Sequence, residues 1–499
     1  MRPIPVLTTE ELRAVESGAG AERLMIAAGR AVAEAARALA ADTGQTILVI
    51  AGPGNNGGDA WVAADALLQS FHRVVVLEAS ATPPKAPEAR DARAAFASRG
   101  GSIVREWPAA SPAPALIVDG LLGIGLARDV DPPFHGIIER VNGSGAPVLA
   151  IDVPSGLDSS TGRVRGIAVR ATRTLTFIAH KAGLHTLDGP DFCGVVACDD
   201  LGVGEAAARE AHGLLLTPAT VTPWLAPRRR NSHKGDFGTL AVIGGNRGMV
   251  GAALLAGRAG LLAGAGRVYV ALLGSDAPAV DPGQPELMLR GLEEAFTADA
   301  IVAGPGAGRS PSATSPSLFE RTTLPALIAR PAALVLDADA LNAIAFDEGL
   351  QRALRDERKG PTLLTPHPAE AARLLGTTTA RVQEDRLAAA LTLAQRFHAH
   401  IVLKGSGSIC AFPDGRWSVN ATGNPGLATA GSGDVLAGII GALLCQGLEA
   451  RRALQYAVCA HGAAADACAA RGVGPVGLTA SEIALEARAV INRWCAAMA

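Results

Sequence analysis

The chain lacks most of what marks secreted, membrane-embedded or nucleic-acid-binding proteins. Aromatic residues make up 4% of its 499 residues, and Lys plus Arg (45) nearly balance Asp plus Glu (47). A net charge of −2 provides no field for nucleic acid or an anionic membrane. Its seven cysteines form no Cys-x-x-Cys pair and no Cys/His ligand spacing. An odd count with no secretory signal reads as reduced thiols in a cytoplasmic protein. Residues 1–11 hold no apolar run of signal length, and no stretch is long enough to span a bilayer.

What the chain has is length and small aliphatic residues. At 499 residues it exceeds one ordinary domain, and each half can bury a full core. Ala, Val, Leu and Gly dominate, as suits Val/Ile-rich inner strands covered by Ala-rich helices.

In the first half, Thr8 or Thr9 can cap a helix starting at Glu10, and residues 24–40 read as a second helix. Strand-like runs at 46–50, 73–77, 116–119 and 147–152 then alternate with helical stretches at 61–69 and 87–98. That alternation predicts βαβ units and a parallel sheet, with ligands beyond the carboxyl ends of its strands. Three loops sit at such ends: residues 52–59, 120–126 and 154–158. Their glycines let backbone N–H groups approach an anion, and a helix starting near Asp59 aims its positive end there. The Asn side chains, Asp119 and Ser155 are hard oxygen donors, suited to an alkali or alkaline-earth cation rather than zinc. Each loop alone is a weak signal, and a lone Asp at a strand end more often caps a turn than catalyses. Three such loops in one half favour a site.

The combination Gly54-Asn55-Asn56-Gly57-Gly58-Asp59, Val118-Asp119-Gly120-Leu121-Leu122-Gly123, Ile151-Asp152-Val153-Pro154-Ser155-Gly156-Leu157 and Phe177-Ile178-Ala179-His180-Lys181 resembles the NAD(P)H-hydrate epimerase family over residues 8–212. The resemblance implies a Rossmann-like domain that interconverts the R and S forms of hydrated NAD(P)H with a bound potassium ion. By motif match, Asn56, Asp119 and Ser155 hold the ion. The substrate meets Asn55, Asn56, Gly57, Gly58 and Asp59, then Gly123, Ile124, Gly125, Leu126, Ala127, Arg128 and Asp129. By the same match it meets Asp152, and since epimerisation needs proton transfer at the ring hydroxyl, a carboxylate such as Asp152 can serve as the acid/base. Ala60 stands where the family pattern has Gly.

Residues 214–232 are Pro-punctuated and then basic, the mark of a domain boundary. The Arg228-Arg229-Arg230 triplet reads as solvated surface or an interdomain contact, since nothing else basic or aromatic clusters with it. Alternation then resumes, with strands expected at 238–245, 267–272, 300–303, 333–337, 362–364 and 400–404, and helices at 251–263 and 435–444. The run Ala430-Gly431-Ser432-Gly433-Asp434 opens the last helix, so unpaired N–H groups converge on one point. Such a nest stabilises a phosphoryl group in transfer, and Asp434 can take the proton of an attacking hydroxyl. The run is not a Walker A loop, which ends Gly-Lys-Ser/Thr.

Ser232-His233-Lys234-Gly235, Val242-Ile243-Gly244-Gly245-Asn246, Ala303-Gly304-Pro305-Gly306, Leu336-Asp337-Ala338-Asp339, Thr365-Pro366-His367-Pro368, Val402-Leu403-Lys404-Gly405 and residues 424–436 resemble the ribokinase-like superfamily. The narrower likeness, over residues 225–495, is to its ADP-dependent NAD(P)H-hydrate dehydratases. That likeness implies that Gly306, His367, Asp434 and Ala253 contact the hydrated nucleotide. It implies that Lys404, Gly405, Ser406, Gly407, Ser408 and Gly433 hold the adenine nucleotide, with magnesium on its phosphates. Ala369 stands where the family pattern has Gly.

The expected class is α/β: a Rossmann-like three-layer epimerase domain over residues 1–213 and a ribokinase-like α/β/α dehydratase domain over 221–499. The small-molecule partners are NADHX, NADPHX and ADP (or ATP), no nucleic acid or membrane partner is expected, and a homo-oligomer is. The rival is a ribokinase-like small-molecule kinase with a regulatory N-terminal nucleotide-binding domain.

Overall fold

Aliphatic runs separated by Ala-rich helices fold into two units, Pro3–Leu214 and Leu215–Ala499, in the computed structural model. The structure describes residues 3–498 apart from 41, 81–83, 85, 109–112, 276 and 309–316. Among the described residues, no helix is long and apolar enough to cross a membrane.

In the first unit the strands are β1 (Thr46–Ala51), β2 (Arg73–Glu78), β3 (Ser102–Val104), β4 (Leu116–Gly120), β5 (Val148–Ile151), β6 (Arg173–Phe177) and β7 (Val195–Asp199). They form one sheet in the order β3-β2-β1-β4-β5-β6-β7, with every neighbouring pair parallel. The order reverses between β1 and β4, where a crevice opens at the carboxyl edge. Thr8 caps the helix Thr9–Ala19 in a capping box with Glu11, whose N–H donates to Thr8 Oγ1 at 3.3 Å while Thr8 N–H donates to Glu11 Oε2 at 2.7 Å. The helix Ala21–Leu39 packs closely on the helix Asn55–Gln69 because Gly29 lies there; a Cβ at Gly29 would stand 2.3 Å from that of Val62.

The run Asn55–Asp59, expected as a turn, is instead the first turn of the helix Asn55–Gln69. Tight packing explains it. A Cβ at Gly57 would lie 1.9 Å from the Gly52 carbonyl oxygen, and one at Gly58 would lie 2.5 Å from Met25 Cε. Strand β6 is absent from the sequence reading because it carries two threonines; both are fully buried, and Thr174 Oγ1 donates to the Cys193 carbonyl at 2.7 Å.

The second unit contains β8 (Thr239–Gly244), β9 (Arg267–Leu272), β10 (Met288–Leu289), β11 (Ala300–Ala303), β12 (Ala333–Leu336), β13 (Thr362–Leu364), β14 (His400–Leu403), β15 (Ile409–Ala411) and β16 (Trp417–Asn420). Their order is β16-β15-β14-β13-β12-β11-β8-β9-β10, parallel except within the antiparallel run β14-β15-β16. Alternation in β8 sends Ala241 and Ile243 into a core with Leu341, Ile344, Leu374, Leu393 and Phe397. Leu240 meets the other layer, touching the positions of Gly260 and Gly441 on the helices Val250–Leu262 and Ser432–Cys445. Helices therefore cover both faces, as the near-continuous apolar strands require.

The expected linker is not loose chain. Gly213–Leu216 is a strand, Pro218–Val221 a helical turn, and Leu215, Leu216 and Val221 are buried. Arg228, first of the basic triplet, donates to the Gly264 carbonyl and to Gln446 Oε1 (2.8 Å) and lies over the Phe237 ring. A fragment 215–499 should accordingly melt higher than 221–499. The shorter piece exposes the surfaces under Leu215 and Leu216, each worth about 1.5–3 kcal/mol, and loses the bond from Ala421 N–H to the Leu216 carbonyl. Equal melting temperatures in calorimetry would place the boundary at 221 after all.

Candidate active sites

In the first unit a cavity of about 670 Å³ opens beyond β1, β4, β5 and β6. Asn55, Asn56, Asp59, Gly123, Ile124, Gly125, Leu126, Ala127, Arg128 and Asp152 all line it. Gly57, Gly58 and Asp129 are not in its wall; the two glycines face Gly52 and Met25, and Asp129 packs towards Gly166. Ala60 is fully buried with its methyl against Gly120, so it takes no space from the cavity.

Asp152 follows β5 with φ of 61°, a conformation that costs a non-glycine residue about 1–3 kcal/mol and persists only where surroundings impose it. Here they do. Oδ1 accepts from Thr176 Oγ1 at 2.9 Å, from Phe177 N–H at 3.1 Å and from Lys181 Nζ. Lys181 is itself held by Thr176 Oγ1 (2.8 Å) and the Phe177 carbonyl (2.9 Å). Among the described residues these donors all fall on Oδ1, which leaves Oδ2 as the oxygen for a ligand.

Two further carboxyls converge on Asp152. Burial first, then the charges of Asp152 and Glu16, push Asp59 well above the usual carboxylate range. Glu16, on the helix Thr9–Ala19, is also raised, by burial and then by Asp152. The cavity thus pairs an ordered carboxylate with an acid that favours its protonated form. Glu16 and Lys181 carried no role in the sequence reading. Lys181 had a signal: it closes the quoted run Phe177-Ile178-Ala179-His180-Lys181 as a lysine after mostly apolar residues.

Beside this wall, Asn56, Asp119 and Ser155 come together. Asp119 is fully buried; Oδ1 accepts from Ser155 Oγ (2.6 Å) and Leu121 N–H (3.2 Å), and Oδ2 from Ser155 N–H (2.9 Å). Asn56 Nδ2 donates to the Leu122 carbonyl at 2.8 Å, and Leu122 N–H donates to Ser155 Oγ at 2.8 Å. Burial raises the Asp119 pKa, and only neutral donors oppose it. A fully buried carboxylate with no basic partner among the described residues, beside the Ser155 hydroxyl and near the Leu122 carbonyl that Asn56 also reaches, fits a hard cation of low charge.

In the second unit Gly431 (φ 85°) starts the helix Ser432–Cys445, placing Asp434 in its first turn. A Cβ at Gly433 would stand 3.1 Å from Lys404 Nζ and 3.9 Å from Asp337 Oδ2, so the helix N-terminus lies directly against that pair and glycine there leaves it uncrowded. Lys404 Nζ donates to Asp337 Oδ1 at 3.0 Å, and Thr365 Oγ1 donates to the same oxygen at 2.7 Å. Burial, then the charge of Asp337, with Asp339 and Glu370 adding, lifts Asp434 to about 7 against the pull of Lys404. Glu370 is lifted to about 7, again by burial first. His367 caps the next helix with Nδ1 accepting from Ala369 and Glu370 N–H groups at 3.1 and 3.4 Å, which leaves Nε2 as the donor. Burial, with Lys404 and Arg373, lowers its pKa and keeps it neutral. Ala369 lies in that helix, where no glycine is needed.

Gly306, at φ 57°, lies against the Met249 carbonyl oxygen, and its own carbonyl accepts from Asn246 N–H at 2.7 Å. Ala253 is fully buried against Gly245, so its methyl offers nothing to a ligand. Residues 404–408 form the partly exposed turn between β14 and β15, in which Ser408 Oγ donates to the Gly405 carbonyl at 3.2 Å. The buried Arg386 guanidinium, which no sequence signal exposed, supports that turn from below by donating to the Leu403 and Lys404 carbonyls at 3.3 and 3.4 Å. The Asp337 and Asp339 carboxylates were quoted only as motif residues.

Two α/β units, each with a polar site at the carboxyl edge of its sheet, define a two-site α/β enzyme. Comparison with known proteins gives the family. The model described as YjeF-related protein N-terminus matches residues 21–183, and that described as NAD(P)H-hydrate dehydratase matches residues 240–486. The bifunctional NAD(P)H-hydrate repair enzyme Nnr of Escherichia coli (strain K12) is 37% identical over 94% of this chain and 89% of its own. That of Coxiella burnetii (strain RSA 493 / Nine Mile phase I) is 38% identical over 97% of each. The crystal structure of an ADP/ATP-dependent NAD(P)H-hydrate dehydratase from Bacillus subtilis is 31% identical over 56% of this chain and 98% of that one, at a TM-score of 0.49. The chain belongs to the bifunctional NAD(P)H-hydrate repair enzymes. That membership supports repair over a plain small-molecule kinase.

Proposed function

We propose that the first unit interconverts the R and S epimers of hydrated NADH and NADPH, and that the second dehydrates the S epimer with ADP as phosphoryl donor. The observation that carries the second reaction is Asp434 in the first turn of a helix whose N-terminus faces the Lys404–Asp337 pair.

At the first site, epimerisation requires loss and return of the ring hydroxyl, hence proton transfer at that oxygen. Asp152 Oδ2 accepts the proton and the raised Asp59 carboxyl donates one. Asn56, Asp119 and Ser155 would hold potassium, whose charge would offset that of Asp119 where the loops after β1, β4 and β5 meet. At the second site, Asp434 takes the proton from the ring hydroxyl as that oxygen bonds to the β-phosphorus of ADP and the bond to AMP breaks. The N–H groups of residues 431–433 and the Lys404 ammonium stabilise the phosphoryl charge. The ring nitrogen lone pair then expels phosphate, and the resulting iminium loses a proton from the neighbouring ring carbon to the departing phosphate, giving NAD(P)H, AMP and inorganic phosphate. Bound magnesium would neutralise the donor's phosphates. His367 Nε2–H and Gly306 orient the ring, while residues 404–408 and Gly433 hold the adenine nucleotide.

Incubating the protein with hydrated NADH and either ADP or ATP tests this directly. Near-ultraviolet absorbance should return with ADP; a stable phosphorylated product instead would mean a plain kinase. The base also sets a pH dependence. Asp434, raised to about 7, is mostly protonated at pH 6 and cannot accept the hydroxyl proton. At saturating ADP, dehydration should rise about tenfold per pH unit below 7 and level off above it. A flat profile from pH 5.5 to 8 would exclude this base.

A further inference from the structure

A second cavity of about 510 Å³ lies in the first unit beyond β2 and β3, with Glu78, Ser80, Arg105, Trp107, Ile137 and Arg140 in its wall. The strand that leads to it, β2, pairs with β1, which leads to the first cavity. Ala51 and Glu78 are partners across β1 and β2, and Ala79 N–H donates to the Ala51 carbonyl at 3.0 Å. Ala51 leads directly into the loop that enters the first cavity at Pro53. The two cavities are therefore fed by loops one strand spacing apart, about 5 Å. The second cavity also lies against the helix Phe134–Gly143, which connects β4 to β5 beside the point where the strand order reverses.

We infer that this cavity receives the adenosine ribose end of the dinucleotide whose hydrated ring occupies the first cavity, and that Arg105 binds a 2′-phosphate there. The inference rests on the epimerase reading. A dinucleotide laid across the switch point of a parallel sheet puts its second ribose at the carboxyl end of the strand beside the Gly-rich turn, where an acid meets the 2′-hydroxyl or an Arg the 2′-phosphate.

This chain supplies both. Glu78 ends β2 with its side chain 5% exposed, and Arg93 grips it with two bonds, at 2.5 and 3.1 Å. Its charge is thus compensated, while its position at the cavity wall is fixed. Arg105 reaches Glu78 more loosely, at 3.6 Å, with 67% of its side chain exposed. It can turn to a phosphate without leaving Glu78 unpaired, since Arg93 remains. Arg140 adds a second exposed guanidinium, and the partly buried Trp107 indole and Ile137 supply apolar wall for a purine. An acceptor for a ribose hydroxyl and a cation for a phosphate in one pocket predict tolerance of both NADHX and NADPHX.

The test is steady-state epimerisation by the full-length protein, with R-NADHX and R-NADPHX assayed separately by chromatographic separation of the epimers. Arg105→Ala should lower the ratio of kcat/KM for NADPHX to that for NADHX about tenfold or more, as loss of one charge-assisted contact implies. The change should lie in KM rather than kcat. Arg105→Lys should recover part of it, and Trp107→Ala should raise KM for both substrates alike. An unchanged ratio in Arg105→Ala, or an equal fall for both substrates, overturns the inference while the epimerase reading stands. A wild-type protein that epimerises neither substrate overturns the reading itself, and this inference with it.

Discussion

Asp434→Asn should lower ADP-dependent dehydration by about 10²–10⁴-fold, the usual contribution of one positioned base, and leave epimerisation at the wild-type rate. Asn preserves shape and leaves the helix N-terminus in place, so ADP binding should survive and the loss should appear in kcat. The two activities separate because Asp434 belongs to the second unit, while the 670 Å³ cavity belongs entirely to the first. A mutant within a few-fold of wild type would remove Asp434 from the chemistry. Glu370 would then be the next candidate, since burial also lifts it to about 7 beside the same lysine.

The same substitution should stabilise the fold at high pH. The Asp434 pKa in the folded state is raised to about 7 from an ordinary 3.8. A raised carboxyl pKa means that the folded state holds a proton that the unfolded chain has released. Its contribution is present below the unfolded value and is lost as pH rises through the folded one. Asp434→Asn removes that loss, so its melting temperature should exceed wild type at pH 8 and converge with it towards pH 4. A melting temperature below wild type at pH 8 would mean that Lys404 needs Asp434 more than Asp434 is strained by its surroundings.

Strand positions were legible where apolar runs sit between glycines and prolines. The runs at 267–272, 300–303 and 362–364 fold as β9, β11 and β13 with those bounds. Parallel strands buried on both faces write themselves as unbroken apolar segments. The hairpin β15–β16 and the strand β6 did not, because Ser418, Thr174 and Thr176 resemble surface residues until their burial is seen. Within the sites, residues that open helices or end strands could be read: Asp119, Asp152 and Asp434. Their supports could not. Lys181 reaches Asp152 across 29 residues and Asp337 reaches Lys404 across 67, so only the folded chain brings them together. The φ of 61° at Asp152 has no local signal either, since an aspartate in that region is imposed by tertiary bonds.

Asp152→Asn should abolish catalysed epimerisation and leave dehydration of the S epimer intact. Asparagine retains an Oδ1 able to accept from Thr176, Phe177 and Lys181, so the bonds that impose the backbone conformation persist. What disappears is a carboxylate that can cycle a proton at neutral pH. The expected loss is again about 10²–10⁴-fold. Slow uncatalysed epimerisation complicates a simple endpoint, so the assay should start from an R/S mixture with excess ADP. The S fraction should vanish at the wild-type rate, and the R fraction should persist on the timescale seen without enzyme. Asp59 provides the internal control. Its pKa is raised by burial and then by the charge of Asp152, so Asp152→Asn removes one of the terms that keep Asp59 protonated. If the mutant still consumed both fractions at the wild-type rate, Asp152 would be a loop anchor. Proton transfer would then belong to Asp59 with Glu16, and Asp59→Asn would have to show the loss that Asp152→Asn did not.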